Sequence, residues 1–326
     1  MFELPPQAPR SARRRAPRGR LGGVSTAVVG LGFMLVFGVR LVGFAQRRPP
    51  PTPRPSSLRS TVWDFAQSPV GPMRAVVMVP EGLAPGARLP LLVTFHGWGE
   101  SVRGVERGAW GWARDYELGA SDRALRQTPL GREAFLGWVS PRRFELLRRD
   151  LAERPYQGLI VVAPYTPDVL DHDAGAGLSE RLGQWVVDTL VAKARRELPV
   201  LTAREATGVD GVSLGGLVAL EVGFGHPETF GAVGSLQAAL DDRTERVLAR
   251  WAPSATRPPQ RVRLVTTVTD PLRHGNERLH AALQARQIAH DWLVVEGPHD
   301  YVFNRGAGGV EMLLFHDRAL RGLGPR

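Results

Sequence analysis

From residue 74 onward, short continuous apolar blocks alternate with longer stretches of mixed polar and apolar character. The blocks fall at 74–79, 91–95, 159–164, 206–210, 230–236, 262–268 and 291–295. Most are rich in Val, Ile and Leu and are bounded by Pro, Gly or charged residues. A continuous block, as opposed to an alternating one, is the pattern of a strand covered on both faces. Between the blocks, apolar residues at helical spacing predict helices from about 179 to 197, over 217–222 just after Ser213, over 276–287 and within 309–321. Strands alternating with helices imply a mostly parallel sheet with helices on both faces, an α/β fold. The stretch 100–157 breaks this rhythm: it is rich in Arg, Glu and Trp and has no strong strand, so it predicts a helical insertion, placed to roof a site at the sheet's edge. No internal repeat interrupts the pattern.

The chain ahead of this region has a different texture. Residues 1–20 are rich in Pro and Arg, and 21–39 form an uncharged apolar run of the length that spans a bilayer as a helix. That run exceeds the roughly 7–15 residues of a signal-peptide core. A Pro/Arg-rich spacer follows at 47–60. The expected organisation is therefore a basic tail with one hydrophobic anchor or signal segment (about 21–45) within 1–46, a linker at 47–60, and a catalytic domain at 61–326. The anchor reading places that domain outside the cytoplasm on a membrane; the cleaved-signal reading, with Gly43 and Ala45 before the cut, makes it secreted.

Charge changes the picture once it is localised. The formal net charge is +10, and residues 1–60 hold eleven arginines against one acid, Glu3. The rest of the chain is balanced, so the basic total does not indicate a nucleic-acid partner. The absence of cysteine excludes disulfides, thiol catalysis and cysteine metal sites.

Candidate chemistry gathers at the ends of the predicted strands, where catalytic groups of open α/β sheets lie. Val209-Asp210-Gly211-Val212-Ser213-Leu214-Gly215-Gly216 contains Gly-x-Ser-x-Gly between a predicted strand and a predicted helix. Such an elbow exposes a serine on a tight turn, with small residues on either side letting strand and helix approach. His96-Gly97-Trp98, Asp270 and His299 stand at three other strand ends. A serine hydroxyl needs an imidazole to take its proton and a carboxylate to orient that imidazole, and the order Ser, Asp, His is that of an α/β-hydrolase. Ser213, Asp270 and His299 are thus the candidate nucleophile, acid and base. The N–H groups of Leu214 and Trp98 are the candidate oxyanion donors. Glu277 is a rival acid, and His226, His274, His280, His290 and His316 are poorer bases by position; His96 is expected to shape the oxyanion loop. Asp171-His172-Asp173 lacks a second ligand set, so neither a metal nor a cofactor is expected.

The segment Leu91–Gly99, the run Asp210–Leu220, the run His226-Pro227-Glu228-Thr229-Phe230-Gly231 and the span from Asp270 to His299 together resemble the esterase D or putative-esterase branch of the α/β-hydrolases. That branch resembles feruloyl and acetylxylan esterases, siderophore esterases, S-formylglutathione hydrolase and the antigen 85 mycolyltransferases. The resemblance covers about 74–321 and implies Ser213, Asp270 and His299 in the roles given above. The chain departs from the branch in the length of 100–157 and in carrying Asn304-Arg305 where a Trp often follows the histidine. The implied activity is hydrolysis of carboxylic esters, with a small-molecule, glycan or lipid ester as substrate. Acyl transfer by the same residues and a catalytically silent, membrane-tethered binding domain are the alternatives.

Overall fold

The computed structural model describes residues 57–170, 177–251 and 259–324. The apolar run at 21–39 and the Asp171-His172-Asp173 loop lie outside the described residues, as does the Pro/Arg-rich part of the spacer. No helix among the described residues is long and apolar enough to cross a membrane.

Eight strands form one sheet: β1 Leu58–Phe65, β2 Met73–Pro80, β3 Leu91–Phe95, β4 Ile160–Pro164, β5 Thr207–Gly211, β6 Ala232–Leu236, β7 Arg261–Thr267 and β8 Asp291–Val295. Their order is β1-β2-β4-β3-β5-β6-β7-β8. β1 and β2 pair antiparallel, as do β2 and β4; every later pairing is parallel. All seven blocks read from the sequence are strands. β1 escaped that reading because Arg59, Ser60, Thr61 and Asp64 dilute its apolar residues. It is an edge strand, which water can cover on one side.

The continuous blocks are buried for the reason the pattern suggests. β3, β4, β5 and β6 have no exposed residue, because each carries helices on both faces. One face meets Leu182, Trp185, Leu190, Leu217, Leu220, Leu279 and Leu283. The other meets Trp112, Leu118, Phe135, Leu147, Phe303, Met312 and Leu313. The helices are α1 Trp98–Ser101, α2 Val105–Gly108, α3 Leu118–Arg126, α4 Pro141–Glu153, α5 Leu178–Trp185, α6 Ala192–Glu197, α7 Leu214–Gly225, α8 Thr244–Leu248, α9 Arg273–Ala285, α10 Tyr301–Phe303 and α11 Gly309–Ala319. A π-helical segment, Val186–Val191, makes α5 and α6 one rod. α7 is apolar on every side and is the central helix of its face. Its one charged residue, Glu221, is buried and accepts from Arg246 Nη2 at 2.9 Å.

The insertion is helical, as its spacing predicts, but it does not form a roof along its whole length. Its first part, through Tyr116, lies against the loop that follows β3. α4 instead turns its Phe144, Leu147 and Leu151 into the core under α11. There Arg143 makes a two-pronged pair with buried Glu311, at 2.8 and 2.7 Å. The physical reason is the apolar stripe of α4, which needs a core face more than a solvent-facing cleft.

Candidate active site

β5 ends at Gly211 and α7 begins at Leu214, so Val212 and Ser213 are the entire connection. Ser213 has φ 56° and ψ −117°, a conformation that a residue with a Cβ adopts only when its surroundings impose it. The surroundings do so through the backbone. Ser213 N–H donates to Leu236 O at 2.9 Å, and Ser213 O accepts from Ala239 N at 2.9 Å and from Gly216 N at 3.0 Å. Its half-buried hydroxyl makes no capping bond to α7. The flanking glycines are needed for clearance: a Cβ on Gly211 would stand 2.2 Å from Gly215 O, and one on Gly215 would stand 2.2 Å from Phe95 O. Leu214 opens α7, so its N–H lies at the positive end of the helix dipole.

The loop after β3 is built around His96. This imidazole is wholly buried; its Nε2 accepts from Thr166 N at 2.9 Å and its Nδ1 donates to Gly97 O at 3.0 Å. Those two partners leave it no base function, and burial lowers its pKa to about 4. His96 therefore shapes the loop, as expected. Trp98 opens α1 and its indole N–H donates to Asp168 Oδ2 at 2.7 Å, which anchors the residue at the start of the helix. The loop lies beside the serine: a Cβ on Gly97 would meet Ser213 Cβ at 3.7 Å.

Asp270 follows β7 and is buried. Its Oδ2 accepts from Thr266 Oγ1 at 2.6 Å, and its Oδ1 accepts from Leu272 N at 2.9 Å and meets His299 Nδ1 at 2.9 Å. A carboxylate with three donors is held as an acceptor. His299 Nδ1 is then the protonated nitrogen, which leaves the lone pair on Nε2. Glu277, the rival acid, pairs instead with Arg273 on the surface of α9, at 2.7 Å.

Three features were not read from the sequence. Gln237, with φ 48°, donates from Nε2 to Thr267 Oγ1 at 3.1 Å and to Pro298 O at 3.0 Å. Because Ser213 N–H rests on Leu236 O, the chain at Leu236-Gln237 joins the elbow to the residue before His299. The second feature is Glu100, buried on α1. It accepts a short bond from Tyr116 Oη and a 2.6 Å bond from Tyr301 Oη. Tyr116 Oη accepts Gly97 N–H at 3.1 Å, and Tyr301 Oη accepts from Arg103 Nη2 at 2.7 Å. Desolvation raises the Glu100 pKa and, more strongly, that of Tyr116. Position alone could have flagged both ends of this cluster: Glu100 directly follows His96-Gly97-Trp98-Gly99, and Tyr301 comes two residues after His299. The third is a second histidine–carboxylate pair, His316 Nε2 with Asp210 Oδ2 at 2.9 Å, fully buried under α11. Of the other histidines, His280 and His290 pair with each other at 2.7 Å, and His226 lies 3.3 Å from Glu228. Among the described residues no group of three or more His, Asp or Glu is placed to hold a metal.

No protein-family model matches the chain, and no curated protein matches it. Solved structures do. An S-formylglutathione hydrolase from Staphylococcus aureus is 12% identical with a TM-score of 0.55, over 80% of this chain and 100% of that one. A CE1 ferulic acid esterase from Anaeromyces mucronatus, in complex with ferulic acid, is 16% identical with a TM-score of 0.54, over 84% and 94%. A fluorophosphonate-binding serine hydrolase from S. aureus is 13% identical with a TM-score of 0.52, over 80% and 98%. With the strand order above, these likenesses show the fold: the described chain has the α/β-hydrolase fold. The structures it is similar to belong to the esterase branch that its sequence motifs resemble.

Proposed function

We propose that this chain is a serine hydrolase of carboxylic esters. One observation carries the reading: a strained, half-buried serine at the β5–α7 elbow is tied through Leu236-Gln237 to the loop of a histidine that Asp270 orients. The names of the structural neighbours support it. Ser213 Oγ attacks the ester carbonyl while His299 Nε2 takes the hydroxyl proton, and Asp270 stabilises the imidazolium that results. Charge on the carbonyl oxygen is met by Leu214 N–H at the head of α7 and by Trp98 N–H at the head of α1. The tetrahedral intermediate collapses, the alcohol leaves with the proton from His299, and the acyl group stays on Ser213. Water, deprotonated by His299, then releases the acid.

Replacing Ser213 with Ala tests this. The variant should keep the wild-type circular dichroism and thermal midpoint, lose hydrolysis of short p-nitrophenyl esters and fail to react with a fluorophosphonate. Turnover retained in Ser213→Ala would overturn the assignment. We also propose that the apolar run at 21–39 tethers this domain to a membrane. Mass spectrometry of the mature protein tests that: an N-terminus beyond Ala45 would show cleavage and remove the tether.

A further inference from the structure

Glu100 lies where three parts of the site meet, and the proposed reaction gives it no task. It sits on α1, two residues past the candidate donor Trp98. Its Oε2 takes the proton of Tyr116, from the insertion, and Tyr116 in turn holds Gly97 N–H at 3.1 Å. Its Oε1 takes the proton of Tyr301, two residues past His299, at 2.6 Å. One buried carboxylate thereby closes a circuit from the oxyanion loop, through the insertion, to the histidine loop. Such a group is costly to keep: a buried carboxylate loses several kcal/mol of hydration, and neutral hydroxyls return only part of it. Among the described residues the cation in reach is Arg103, 3.8 Å away and half exposed, so the Coulomb return is weak too. An apolar residue would serve stability better. What the carboxylate alone supplies is two acceptor oxygens that fix both tyrosine hydroxyls as donors.

We propose that Glu100, in its ionised form, is a positioning residue that locks the oxyanion loop and the His299 loop into register, so that Trp98 N–H and His299 Nε2 face the same carbonyl. The circuit is directional. Tyr116 Oη already accepts from Gly97 N–H, and Tyr301 Oη accepts from Arg103. Each hydroxyl has its single proton left for Glu100. If Glu100 is protonated, its O–H must donate to an oxygen whose own proton is pointing at it, and one bond of the circuit is lost. The groups facing Glu100 are Tyr116 and Asp115 from the insertion, Tyr301 from α10, and Arg103 after α1; His96 packs on the same side, against Gly111. Burial raises the pKa of Glu100.

The inference rests on the esterase reading, and the test separates the two. Wild-type protein is first labelled with a fluorophosphonate; a silent wild type removes the esterase reading itself. With label and turnover in hand, kcat and KM for p-nitrophenyl acetate are measured from pH 4.5 to 9 for wild type, Glu100→Gln, Tyr301→Phe and the double variant. Loss of an oxyanion donor costs about 100- to 1,000-fold, so a loosened donor should lower kcat roughly 10- to 100-fold in Glu100→Gln, with KM changed less than about threefold. The double variant should fall little further than Glu100→Gln, since both changes open the same circuit. In wild type the acid limb of log kcat/KM should be steeper than in Glu100→Gln, which has no carboxyl to protonate. Wild-type kcat in Glu100→Gln, multiplicative losses in the double variant, or an unchanged acid slope would each overturn the proposal while leaving the esterase standing. If Glu100→Gln fails to fold, Tyr301→Phe, partly exposed, carries the same kcat-against-KM comparison.

Discussion

The described chain contains two histidine–aspartate pairs with the same contact distance, 2.9 Å, and very different surroundings. His299 and Asp270 stand past the carboxyl ends of β8 and β7, with the imidazole partly open to solvent. His316 and Asp210 are sealed between α11 and the middle of the sheet, both at 0% exposure. The catalytic-looking contact is thus not what marks a catalytic pair. The Asp270 carboxylate is saturated with donors from its own strand-end turn, and these orient it toward one nitrogen of His299. Asp210 also takes a donor, Gly211 N–H at 2.7 Å, but its carboxylate reaches over Gly234, where a Cβ would stand 1.9 Å from Oδ2. That carboxylate can serve only the interior. His316 Nδ1 has no partner among the described residues, and burial lowers the pKa of the ring, so it is held neutral. In the proposed reaction one pair moves a proton; the other fixes α11 on the sheet.

The sharpest way to break this comparison is to remove each histidine. His299→Ala should lower kcat by a factor of about 10,000 or more, the usual cost of losing a triad base, with an unchanged thermal midpoint. His316→Leu should do the opposite: leaving Asp210 Oδ2 buried without its imidazole donor costs about 1–3 kcal/mol, read by urea unfolding, while kcat of the folded protein changes less than about threefold. Should His316→Leu abolish turnover in a protein of wild-type stability, the division of roles is wrong.

A third histidine extends the contrast to pH. His96 is buried like His316 but lies beside the elbow, with its pKa lowered to about 4 from 6.5. The unfolded chain therefore binds the proton more readily than the folded one, so the stabilisation is complete above pH 6.5 and is lost as pH falls toward 4. At about 1.4 kcal/mol per pH unit the loss over that window is about 3 kcal/mol. His316, also lowered, adds to this slope; Glu100, raised, opposes it. Urea unfolding between pH 7 and 4.5 should show stability declining with acid, and His96→Asn should flatten the decline.

The parts of this architecture that were legible in sequence are those dictated by local constraint. Two-sided burial writes continuous apolar blocks, so β2 to β8 were readable, and the elbow's need for clearance writes Gly211 and Gly215. Ser213, Asp270 and His299 were singled out because they stand at strand ends in that chain order, and Asp270 does meet His299. What escaped depends on which distant elements meet. Nothing near Glu100 in the sequence announces Tyr301, 201 positions away, as its partner. The periodicity of α4 predicts a helix but not the face of the sheet it covers. His316 sits at an unremarkable helical position and is read as a poor base, which does not reveal that Asp210, in the Asp-Gly-x-Ser run, is the residue it holds.

The smallest expected effect concerns the link between elbow and base. Gln237 is wholly buried, and its Oε1 has no hydrogen-bond partner among the described residues. Its amide nitrogen instead holds Thr267 at the end of β7 and Pro298 just before His299. Its own backbone is fixed at φ 48°, with its N–H on Val265 O at 2.7 Å. Gln237→Ala frees the Pro298 carbonyl, and the imidazole loses one restraint while Asp270 keeps hold of Nδ1. A base still oriented by its acid but less well placed should cost kcat about tenfold with KM unchanged, the size of effect that a sub-ångström displacement produces. Equal losses in kcat for esters of good and poor leaving groups would locate the defect in serine deprotonation; a loss confined to poor leaving groups would locate it in proton delivery to the alcohol. No loss in either would show that Asp270 alone positions His299.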